Sequence, residues 1–135
     1  MKQLLFILFA FLIATGTASA DKGKKAVISS DSISHDFGTI LEKEGKVSHT
    51  FIITNKGKSP LVVTRVIASC GCTTPEWPEE PIAPGKNGKI KVTYNPAGVS
   101  GPFTKTISVY SNGKDGSFIF TIKGNVVSKN REKEK

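Results

Sequence analysis

Cys70 and Cys72 are the only cysteines of the 135-residue chain, and they stand one residue apart in Ser69-Cys70-Gly71-Cys72-Thr73. Three chemistries are open to so close a pair: a local disulfide, a redox couple, or two thiolates for a soft metal such as Zn²⁺ or Cu(I). If a strand ran through Gly71, both side chains would project from one face with Cα atoms roughly 6.5 Å apart, near the upper limit for a disulfide. Gly71 is free to take a positive φ and fold the sulfurs together. A disulfide across so few residues constrains the unfolded chain little, so stability alone is a weak reason for it.

Metal binding needs more than two sulfurs. The chain's one methionine is Met1, and its only histidines are His35 and His49. His49 alternates in phase with Val47, Phe51 and Ile53, as an inward-facing, hydrogen-bonded core histidine does. His35 stands beside Asp36 before a glycine and reads as a capping or edge residue. No cofactor is expected, with Zn²⁺ or Cu(I) at Cys70 and Cys72 left open. A redox cysteine needs a helix N-terminus or a nearby cation to stabilise its thiolate. No helical stripe occurs here, which leaves Arg65 and the lysines for that task.

The segment from Thr73 to Pro84 holds four prolines (Pro75, Pro78, Pro81, Pro84) and Trp77, the chain's one tryptophan. Prolines stiffen it toward an extended loop. Trp77 then either stands out as an anchor for a partner or folds back to cap one end of the domain. Glu76, Glu79 and Glu80 give this rim an acidic character. Gly-x-Ser-x-Gly, His-Glu-x-x-His and phosphate-loop patterns are missing, so no catalytic residue is assigned.

These residues need a scaffold, and the chain's organisation supplies one. Residues 1–20 read as a cleavable secretory signal: Lys2, an apolar run from Leu4 to Ala14, then Ala18-Ser19-Ala20 before Asp21. That run is shorter than the ~20 residues of a membrane span. The expected location is therefore periplasmic or secreted, with no membrane span in the mature chain. Polar segments at 21–25 and 128–135 flank a single domain at 26–127, and the last eight residues read as a disordered tail. The formal charge of +8 falls to +7 without Lys2. Scattered lysines without interleaved aromatics make a solvated surface rather than a nucleic-acid platform.

Within the domain the apolar period is two. Val47–Ile53, Ile90–Tyr94 and Phe118–Ile122 alternate; Leu61–Ala68, Phe103–Tyr110 and Ile33–Phe37 complete the strands, and Val27–Ile28 is a short extra. Turn signals fall between them at Asn55-Lys56-Gly57, Pro84-Gly85, Asn95-Pro96-Ala97-Gly98, Asn112-Gly113 and Asp115-Gly116. About seven short strands so spaced predict an all-β, immunoglobulin-like sandwich.

Several strings then become recognisable in order: His35-Asp36-Phe37-Gly38-Thr39-Ile40, His49-Thr50-Phe51, Asn55 to Leu61, Ser69-Cys70-Gly71-Cys72-Thr73, and Pro84 to Ile90. Together they resemble the exported bacterial proteins catalogued as domain of unknown function 1573. That family is similar to Hydin-type and major-sperm-protein-like sandwiches, which serve as binding or assembly modules. The resemblance implies a fold and supplies no activity. Two functions follow as expectations. The first is a non-enzymatic envelope module that binds another exported protein through an edge strand or the Trp77 loop. The second is a thiol-redox or soft-metal protein acting through Cys70 and Cys72.

Overall fold

The computed structural model describes residues 25–128. The signal segment, the first residues of the N-terminal polar segment and the end of the tail lie outside the described residues. Eight strands run in chain order: β1 (Ile28–Ser29), β2 (Ser34–Leu41), β3 (Val47–Asn55), β4 (Val63–Ala68), β5 (Thr73–Glu76), β6 (Asn87–Tyr94), β7 (Gly101–Ser111) and β8 (Ser117–Val127). They form two four-stranded sheets, ordered β1-β3-β6-β5 and β2-β8-β7-β4.

The alternation read from the sequence is what closes the sandwich. Phe51 and Ile53 of β3, Ile90, Val92 and Tyr94 of β6, Ile107 and Val109 of β7, and Phe120 and Ile122 of β8 turn inward and are all but completely buried. Phe51 stacks on Phe120 across the two sheets with centroids 4.3 Å apart. Tyr94 stacks on Phe103 at 4.0 Å. Burial of apolar area on this scale supplies the main driving force for folding.

Gly85 adopts φ 77° after Pro84, and Lys86 N–H closes that turn on the Ala83 carbonyl at 3.0 Å. The predicted hairpin joins β7 to β8, with Tyr110 opposite Ser117 and Gly116 at φ 74°. Asn55, read only as a turn residue, is fully buried. Its side-chain oxygen accepts from Val27 N–H (3.2 Å) and Gly57 N–H (2.9 Å), and its amide donates to the Ser59 (2.8 Å) and Ile82 (2.9 Å) carbonyls. One side chain thereby ties β1, β3 and two loops together.

One feature departs from the sequence reading, and another was not specified by it. Thr73–Glu76, expected as part of a stiff loop, is the edge strand β5, antiparallel to β6. Pro75 is tolerated because alternate residues, Thr74 and Glu76, face β6, so the missing N–H lies on the open side. β2 pairs with β8 in parallel, with a bulge between Asp36 and Thr39. There Gly38 takes φ 67°, and its N–H donates to the Asp36 carboxylate at 2.8 Å.

Candidate functional site

β4 ends at Ala68, and the chain then crosses from one sheet to the other through the cysteines. Ser69 N–H donates to the Thr106 carbonyl (2.9 Å), and Thr106 N–H donates to the Ser69 hydroxyl (3.1 Å). Thr73 N–H reaches back to the Cys70 carbonyl at 3.3 Å, which makes Cys70–Thr73 a four-residue turn. Asn95 N–H then holds the Cys72 carbonyl at 2.8 Å. The turn draws the two Cα atoms to 5.3 Å, and Cys70 and Cys72 are joined as a disulfide.

The device differs from the one expected of Gly71. Its φ is not positive, and a Cβ added there would meet nothing within 4 Å. The strand stops before the pair, so no left-handed glycine is needed to bend it. Thr73, 4% exposed, places its hydroxyl 3.6 Å from Cys70 Sγ and 3.9 Å from Cys72 Sγ. Disulfide sulfurs carry no hydrogen, so the hydroxyl is the donor. Both cysteines are half-buried, and Cys72 packs against the core. Arg65, a candidate thiolate stabiliser from the sequence, is engaged elsewhere: its guanidinium lies 4.3 Å from the Tyr110 ring centroid.

The histidines come together instead. His35 on β2 and His49 on β3 stack from one sheet to the other, with centroids 3.7 Å apart and ring planes 9° from parallel. Phe37 meets His35 edge-on at 4.6 Å, and Phe51 meets His49 likewise at 4.7 Å. His49 does face inward, but it is half-buried and packed on a second imidazole. Burial, and secondarily the neighbouring His35, push its pKa below the ordinary 6.5. A signal existed in the sequence, because His-x-Phe occurs at both 35–37 and 49–51. Nothing local said that the two copies would face each other. Among the described residues, no group of three or more His, Cys, Asp or Glu side chains is gathered to hold a metal ion.

A third arrangement surrounds Trp77, directly after β5. Trp77 is half-buried against the core and lines a groove of about 800 Å³. It also lines a smaller hollow of about 330 Å³ with Pro75, Glu76 and Glu79. It therefore takes part of each role the sequence left open, packing back on the domain while keeping an exposed flank. The loop returns through Ile82, whose N–H and C=O pair with Leu61 at 2.8 and 2.9 Å. The side chains of Ile82 and Pro78 pack over Gly88 of β6, in the space a Cβ there would take. Lys86, Lys89 and Lys91 line the groove together with Glu76, Glu80 and Pro81. Its size falls within the range of ligand pockets.

The family model described as "Protein of unknown function (DUF1573)" matches residues 28–126. The chain belongs to that family. The disulfide, the histidine stack and the groove all lie within the matched span. No curated protein matches this DUF1573 chain. Among solved structures it is similar to a protein of unknown function from Porphyromonas gingivalis W83, at 17% identity and TM-score 0.68, covering 82% of this chain and 51% of that one. It is also similar to the ASH/PapD-like domain 7 of human CEP192, at 12% identity and TM-score 0.60, covering 78% and 87%. The Vibrio cholerae VesB protease matches at 17% identity and TM-score 0.55, covering 76% and 31%. At such identities these likenesses show the β-sandwich fold alone. The DUF1573 chain spans about half the length of the P. gingivalis protein. No helix among the described residues is long and apolar enough to cross a membrane.

Proposed function

We propose that this DUF1573 domain is a non-enzymatic binding module of the bacterial cell envelope, exported by the signal at residues 1–20, that holds another exported protein in the groove beside Trp77. The observation that carries this reading is the placement of Trp77. It is anchored on the core yet keeps an exposed flank on a groove of about 800 Å³. An aromatic ring already immobilised in this way adds contact area at little further entropy cost, which is the property of an interface anchor.

Photo-crosslinking tests the reading. A photoreactive residue at Lys86, on the groove wall, and a control at Lys114, on the β7–β8 hairpin, are compared in the native envelope. A defined partner captured from position 86 alone, and competed by unlabelled protein, supports the groove. The same products from both positions, or none from 86, end the reading.

A second reading is favoured by one observation, the Thr73 hydroxyl lying within 3.9 Å of both sulfurs. In this reading the domain exchanges its disulfide with a partner dithiol. The partner thiolate attacks one sulfur, the S–S bond breaks, and Thr73 donates to the departing thiolate. The partner's second thiol then resolves the mixed disulfide, so the domain is reduced as the partner is oxidised. Oxidation of a reduced dithiol substrate that proceeds equally well with a Cys70→Ser, Cys72→Ser double variant removes this alternative.

A further inference from the structure

The groove is a notch in a sheet edge. β5 lies opposite β6 only from Thr73↔Tyr94 to Glu76↔Lys91. β6 itself begins at Asn87 and is paired with β3 along its length. No residue of β5 stands opposite 87–90: the strand ends at Glu76, and the side chains of Pro78 and Ile82 pack over Gly88. On the side away from β3, that stretch has no strand beside it.

Alternation identifies the groups on offer. Asn95 N–H donates to the Cys72 carbonyl on the β5 side. With a period of two, Thr93, Lys91 and Lys89 direct their N–H and C=O to that same side. At Thr93 and Lys91 they meet Thr74 and Glu76. At Lys89 they meet the groove.

We propose that the notch receives an extended acidic peptide strand from the partner, which continues β5 along β6 and sets a carboxylate opposite Lys89. This rests on the groove-binding reading above and names its ligand class. Directly opposed side chains in paired strands share a face, and opposite charges there stabilise the pair. β5 already uses this pattern one step along: Glu76, opposite Lys91, holds its ammonium at 3.9 Å. Lys89 occupies the equivalent place in the vacant register, and among the described residues neither it nor Lys86 makes an ion pair. Glu80 also lines the groove, and its charge disfavours a carboxylate placed beside it rather than beside Lys89. Intervening side chains of the strand point the other way, toward Ile82 and Trp77. Main-chain pairing supplies affinity in strand addition, and the alternating side chains supply selectivity.

The probe is a capped hexapeptide of alternating Val and Glu, titrated into the purified protein, with its Val-Lys counterpart as control. Trp77, as the single tryptophan, reports occupancy by fluorescence, and amide exchange at Lys89 reports main-chain pairing. A saturable shift of Trp77 emission with slowed exchange at Lys89 is expected. N-methylation of the peptide on its pairing edge should abolish both. Lys89→Glu should weaken binding about fivefold or more, as an opposite-charge cross-strand pair becomes a like-charge one. Equal binding of the Val-Lys peptide, or fluorescence change with no protection at Lys89, overturns the proposal. A dimer of the free protein that Lys89→Glu dissociates would mean that a second copy fills the notch, and overturns it too. A partner crosslinked at position 86 together with silent peptides leaves the binding module standing and removes strand addition. Failure of both measurements removes both.

Discussion

His35 lies flat on His49, ring centroids 3.7 Å apart, and joins edge strand β2 of one sheet to β3 of the other. Two imidazoles stack well while neutral and repel when both are charged. His49 has its pKa held below 6.5, first by burial and then by His35. The native chain therefore resists a proton that the unfolded chain accepts, and stability must fall as pH drops below the unfolded value.

The melting temperature should accordingly decline as pH is lowered from about 7.5 toward 5, around the ordinary histidine pKa of about 6.5. His49→Phe should flatten this dependence. His35→Phe should flatten it only in part, since burial of His49 remains. Equal slopes in all three proteins would show that the pair does not couple folding to pH.

Asn55 is fully buried and serves four backbone partners through one side chain. Asn55→Ala would leave Val27 and Gly57 N–H groups and the Ser59 and Ile82 carbonyls without their side-chain partner. A loss of about 3 kcal/mol is expected in urea unfolding, since buried orphaned groups cost ~1–3 kcal/mol each and some will find water. A change under ~1 kcal/mol would mean that the loops around Asn55 hold without it.

Gly124 and Gly71 form a matched test of what glycine does here. A Cβ at residue 124 would stand 2.8 Å from the Phe103 ring and 3.0 Å from the Gly38 carbonyl. Gly124→Ala should therefore cost about 1–3 kcal/mol as an overpacking change. Gly71→Ala meets nothing within 4 Å and has no positive φ to strain. It should leave both the melt and disulfide formation unchanged. A Gly71→Ala protein that no longer oxidises would show that the turn needs glycine for a reason other than space or φ.

Reducing the Cys70–Cys72 disulfide, or replacing both cysteines by serine, should lower stability by less than about 2 kcal/mol, because the closed loop is only three residues long. Far-ultraviolet circular dichroism of the reduced protein should remain that of a β-sandwich. Unfolding on reduction would make the disulfide a structural staple and weaken any exchange role. Thr73→Val should speed loss of the bond to dithiothreitol no further than the wild type, and slow it if the hydroxyl assists the leaving sulfur.

The strands at 47–53, 90–94 and 118–122 were legible because a sheet with one buried face forces alternation onto the sequence, residue by residue. Gly85 and Gly116 were legible for an equally local reason, since each supplies a positive φ that its turn requires. β5 was hidden behind Pro75, whose cost depends on which side of the strand faces a neighbour, and only the placement of β6 decides that. The family resemblance gave the right architecture and could not say where the groove would open. Local alternation, turn chemistry and the cysteine spacing were thus the property of the sequence alone. The parallel β2–β8 pairing, the histidine stack, the Asn55 hub and the notch beside Lys89 belong to the tertiary structure. Each depends on contacts between residues far apart in the chain, and period-two patterning records which face a residue takes but not which strand lies beside it.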